Sequence, residues 1–94
     1  MQVLVEDSTA TIIANHRSSG WVLNVDRTEV ENNTAKVWVT VSTSGKGSSS
    51  TQTIVLDSDR FDNKSFACCQ VFSKVTKSGT AHQNEYVPAG LACD

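Results

Sequence analysis

The chain has 94 residues, a net charge of −2 and only 19% charged side chains, so a single domain over 1–94 is the expectation. Its basic residues, Arg17, Arg27, Lys36, Lys46, Arg60, Lys64, Lys74 and Lys77, are scattered, and without a basic patch to neutralise phosphates nucleic acid is excluded as a partner. No apolar run reaches the length of a membrane span, and the opening "MQVLVEDST" has neither the basic nor the long apolar region of a signal peptide.

Ser, Thr and Asn are abundant, and the strong helix formers are few. Val leads the apolar residues, joined by Ile, Thr and Trp, which suit a pleated, half-buried surface. The whole chain therefore reads as β. Val3 to Val5 and Thr9 to Asn15 form two short strand pieces, with a kink or bulge expected at "EDS". "NHRSSG" is a loop. In Trp21 to Glu31, Trp21, Leu23 and Val25 point one way, and Asn24, Asp26 and Thr28 the other. In Ala35 to Thr43, Val37, Val39 and Val41 share a face opposite Lys36, Trp38 and Thr40. Pairing Leu23 with Val41 and Val25 with Val39 predicts a hairpin closed by a three-residue loop at Glu31 to Asn33.

"SGKGSSS" is a polar loop, Thr51 to Asp57 a short strand, and "SDRFDNK" a turn-rich corner. Ser65 to Lys77 reads as the longest strand, and Glu85 to Cys93 returns beside it. Six or seven strands without a helix predict a small antiparallel β-sandwich, with a small β-barrel as the alternative. The architecture expected is immunoglobulin-like. The cysteine–tryptophan–cysteine spacing of antibody-type domains is missing, so the likeness is one of architecture alone.

The three cysteines are Cys68, Cys69 and Cys93. If the last strand folds back on "FACCQVFSKVTK", placing Cys69 opposite Cys93 also sets Val71 opposite Leu91 and Val75 opposite Val87. Placing Cys68 opposite Cys93 sets Gln70 against Leu91, a poorer match. The prediction is a Cys69–Cys93 disulfide stapling the terminal strand, worth about 3 kcal/mol. Cys68 then points to the other face with Phe66, Gln70 and Phe72, as a buried small side chain or an intermolecular bridge. A disulfide implies an oxidising, secreted or virion setting; a reduced cytosolic chain is the rival reading.

Chemistry-bearing clusters are sparse. His16 and His82 lie in loops, and no serine sits in a nucleophile elbow. "LDSDRFDN" holds Asp57, Asp59, Asp62 and Asn63, but its spacing suits a turn better than a calcium loop. "SGKGSSS" lacks the Walker spacing. No cofactor and no metal are therefore expected, and an enzyme is the least favoured class. Asn32-Asn33-Thr34 and Asn63-Lys64-Ser65 are N-glycosylation sequons placed at turns. Trp38 stands on the polar face with Lys36 and Thr40, and Asp26 is expected near it. An exposed Trp among polar groups is a typical anchor for a protein or a glycan partner, unless Phe66 and Phe72 or the N-terminal segment cover it.

Three functions follow as expectations. The first is a non-enzymatic, disulfide-stapled binding module using loops or the sheet face around Trp38 and Asp26. The second is a structural subunit of a virion or filament, a homo-oligomer. The third is a small protease inhibitor that presents Arg17 in "NHRSSG".

Overall fold

The structure is a computed structural model that describes residues 1–15, 21–43, 51–76 and 85–94. These form seven strands and one short 3₁₀ turn: β1 (Gln2–Glu6), β2 (Thr9–Asn15), β3 (Trp21–Glu31), β4 (Thr34–Thr43), β5 (Thr51–Leu56), η1 (Ser58–Phe61), β6 (Cys68–Thr76) and β7 (Val87–Cys93). Two sheets pack face to face: sheet A in the order β1-β2-β5 and sheet B in the order β3-β4-β6-β7. The β-sandwich expected from composition is the architecture found. No helix among the described residues is long and apolar enough to cross a membrane.

One pair departs from the antiparallel expectation. β4 and β6 run parallel, with Val37 beside Val71 and Trp38 beside Phe72, so the all-antiparallel pattern of an immunoglobulin domain is not reproduced there. The cause is topological. The chain leaves sheet B after β4, adds β5 to sheet A, and returns as β6 beside β4. A parallel neighbour needs such a crossover.

Alternation places the core. Ala35, Val37, Val39 and Val41 of β4 face Ala10, Ile12 and Ala14 of β2, with Leu23, Cys69, Val71 and Leu56 beside them, all buried. The core uses small and β-branched side chains, which interlock between two pleated surfaces. Phe61 of η1 and Phe66, just before β6, meet edge to face at 4.9 Å and close one end. Phe66 is thus a core residue and does not share the outer face with Phe72.

Three tight reversals gather at that end. Asp7 and Ser8, Asn32 and Asn33, and Asp62 and Asn63 are consecutive pairs with positive φ. Asn and Asp tolerate this left-handed backbone better than other residues that carry a Cβ. The first pair makes a true hairpin, Glu6 facing Thr9, where a kink was expected. The second closes β3 on β4 with Glu31 facing Thr34, as a two-residue turn of the kind favoured in hairpins. The expected three-residue loop is replaced because β3 carries a bulge between Val25 and Arg27. Leu23–Val41 and Val25–Val39 pair as expected, and the extra residue, Asp26, shifts the remainder by one. Beyond the bulge Thr28 and Val30 turn inward, and Arg27 and Glu29 outward.

The cysteine prediction is corrected. The disulfide joins Cys68 to Cys93, with S–S 2.12 Å, and Cys69 is the free, fully buried thiol. Cys68 is therefore neither a core side chain nor available as an interchain bridge. The register error has a packing cause. β7 lies at the edge of sheet B and turns its small residues inward: Gly90 faces Val71 and Ala92 faces Cys69. β1 crosses so close that a Cβ at Gly90 would sit 2.7 Å from Val3 Cγ2. Leu91 instead faces outward beside Gln70 and is 65% exposed. Matching bulk to bulk chose the other register, but the approach of β1 demands the smallest residues inside.

Candidate interaction face of the four-stranded sheet

Sheet B turns its second face to solvent. Register sets its side chains in rows across the strands. The central row runs Arg27, Trp38, Phe72, Pro88 from β3 to β7. Trp38 and Phe72 are both half-buried. Their rings stack at 5.4 Å between centroids, tilted by 17°. The Arg27 guanidinium lies 4.7 Å from the centre of the Trp38 ring and also pairs with Glu29 at 3.0 Å. Strands stand about 4.8 Å apart, so rings stacked from neighbouring strands stand on edge like books on a shelf. Trp38 thus has Arg27 on one side and Phe72 on the other. What it presents outward is the rim of the indole.

Flanking rows complete the face. On one side, Asp26 accepts hydrogen bonds from the Thr40 hydroxyl and from the Tyr86 hydroxyl, the latter at 2.7 Å. Lys74 Nζ lies 4.8 Å from the centre of the Tyr86 ring. On the other side, Lys36 bonds Glu31 at 3.5 Å, and Gln70 stands beside Leu91. Asp26 is therefore one row from Trp38. The bulge exchanged the two positions, and the residue against the indole is Arg27. Sequence reasoning named Phe72 among the residues that could cover Trp38, and it does, but missed Arg27, Lys74 and Tyr86 as members of this face. A signal for the bulge was present: Val25 and Val30 differ in parity, and only an extra residue lets both face one core.

The remaining chemistry-bearing residues fall elsewhere. Arg17, His16, His82 and "SGKGSSS" lie outside the described residues. Asp57, Asp59, Asp62 and Asn63 surround η1, a turn as expected, and all four are exposed. Asn32 and Asn63 of the two sequons are exposed on reversals. Cys69 is buried, and loss of water around its sulfur pushes the thiol from 9.0 to about 11. Such a group is a poor nucleophile at neutral pH. A hollow of about 360 Å³ on sheet A is lined by Leu4, Glu6, Asp7, Thr9 and Thr11 and holds no base paired with a nucleophile.

Comparison with protein-family models, with curated proteins and with solved structures finds no match.

Proposed function

We propose that this domain is a non-enzymatic binding module that engages a protein partner through the outer face of sheet B. The observation that carries the reading is the cross-strand stack of Arg27, Trp38 and Phe72. A sugar ring recognised by an aromatic needs an open ring face, and both faces of Trp38 are already covered. Edge-on rings, Leu91 exposed nearby and ion pairs at Arg27–Glu29 and Lys36–Glu31 suit a broad, flat partner. Interfaces of that kind place aromatic and Arg side chains at the centre and charge at the rim. The disulfide favours an oxidising compartment.

The test is capture of binding proteins from extracellular fluid on the immobilised domain, in parallel with Arg27→Glu and Leu91→Asp. Both positions are exposed, so both variants are expected to fold, Arg27→Glu with a modestly lower melting temperature because its ring contact and its pair with Glu29 are lost. The expected result is a discrete protein retained by the parent and lost from both variants, with no signal on a glycan array. Retention by both variants, or a glycan signal abolished by them, defeats the reading.

A further inference from the structure

A two-sheet sandwich has four edge strands, here β1 and β5 in sheet A and β3 and β7 in sheet B. An edge offers a row of unpaired backbone donors and acceptors to any passing strand, and proteins guard edges with charge, proline, bulges or cover. Three of the four edges are guarded. β3 has the bulge at Asp26 and the charges Arg27, Glu29 and Glu31. β7 has Pro88 and a bulge beside it. β1 lies against β7, so closely that Val3 abuts Gly90.

Among the described residues β5 has no charge, proline, bulge or covering strand of this kind. Its sequence, TQTIVL, contains no charge and no proline, and its ladder with β2 runs without a bulge from Thr51 to Leu56. No described strand pairs with its other edge. The apolar side chains on both sides of this edge are incompletely covered. Val55 is 60% exposed on the outer face, and Ile54 is only partly buried on the inner one. Val55 also continues an apolar row across sheet A through Thr11 to Leu4, itself exposed. Sheet A has three strands to sheet B's four, so one further strand beside β5 would equalise the layers.

We infer that β5 pairs antiparallel with β5 of a second copy of this chain, joining two three-stranded sheets into one across a two-fold axis. The segment suits itself. With Ile54 on the axis, Thr53 of each copy faces Val55 of the other on the outer side, and the two Ile54 side chains meet on the inner side. The three central pairs, Ile54 with Ile54 and Thr53 with Val55 twice, are then β-branched, the residue class that stabilises cross-strand contacts, and Gln52 of each copy faces Leu56 of the other. An uncharged strand meets no like-charge repulsion in this isologous arrangement. The inference is independent of the sheet B reading, whose face lies on the opposite layer.

The experiment is sedimentation equilibrium of the full chain across the micromolar range, with amide exchange of β5 followed at low and high concentration. The expected result is a concentration-dependent dimer, with exchange slowed at Thr53 to Val55 in the dimer. Val55→Lys, at an exposed position, abolishes the dimer while leaving the melting curve of the monomer unchanged. Leu91→Asp leaves the dimer intact. A chain that stays monomeric at the highest concentration overturns the inference. So does a dimer that survives Val55→Lys, or one that forms without slowing exchange in β5.

Discussion

Cys68 and Cys69 are neighbours in sequence with opposite fates, because successive side chains of a strand point to opposite faces. Cys68 looks outward to Cys93, and Cys69 looks into the core. Burial keeps the Cys69 thiol protonated up to about pH 11, whereas in the unfolded chain it ionises near its ordinary 9.0. The folded state therefore binds more protons between those values, and the stabilisation, complete below pH 9, is lost as pH rises through 11. Unfolding followed by denaturant at pH 8 and pH 11 is expected to show the parent losing about 1–3 kcal/mol more than Cys69→Ala. Cys69→Ser is expected to destabilise at neutral pH by about 1–3 kcal/mol, because the hydroxyl replaces a thiol where no polar partner is provided. Equal losses in Cys69→Ala and the parent at high pH would remove the thiol from the account.

The strands themselves were legible in the sequence, and their junctions less so. The valine face of β4, its pairing with β3 at Leu23 and Val25, and the corner around Asp59 follow from period-two patterning and turn chemistry, which are local. The bulge at Asp26 left only the parity difference between Val25 and Val30 as its local mark, and the parallel alignment of β4 with β6 and the pairing partner of Cys93 depend on contacts distant in sequence. The last is instructive. Gly90 carries no hydrophobic signal, yet its lack of a Cβ, under Val3, decides the register of β7. Gly90→Ala is accordingly expected to cost about 1–3 kcal/mol, as overpacking does, since a Val side chain is stiff about χ1. Val3→Ala in the same chain should restore part of that loss, read from the coupling in a double-mutant cycle. At the β3–β4 reversal, both Asn32 and Asn33 have positive φ. Asn33→Gly should therefore raise stability by about 0.5–1 kcal/mol, and Asn33→Val should lower it.

For the whole molecule, the end where the three reversals gather is a web of long-range ties. The Ser8 hydroxyl accepts from the Phe66 N–H and donates to its carbonyl. The Asn33 carbonyl accepts from Ala67 and Cys68, and Asp94 N–H donates to the Ala67 carbonyl at 2.6 Å. Around these lie the disulfide and three reversals. Reduction by dithiothreitol is expected to lower stability by about 3 kcal/mol, for a crosslink spanning 25 residues. Hydrogen exchange in the reduced protein should quicken first in β7, the edge strand that the bond holds. Uniform quickening across all strands would mean that the bond acts on the unfolded chain alone. The outer face of sheet B was legible to the extent that Trp38, Lys36, Thr40 and Asp26 were placed on it. Arg27 was hidden by the one inserted residue in β3, and Lys74 and Tyr86 by the crossover that brings β6 and β7 to the sheet.

The position of the disulfide also determines how the domain carries load. Tension applied to the chain beyond Cys93 enters β6 through the sulfur bridge, and β6 is an interior strand bonded to β4 on one side and β7 on the other. The β7 ladder is bypassed and bears no force. With the bridge cut, the same pull acts on the end of an edge strand and opens its hydrogen bonds one after another, as a zipper. Oxidised, the domain resists at a covalent clamp set into the middle of its larger sheet. Reduced, it yields from the rim.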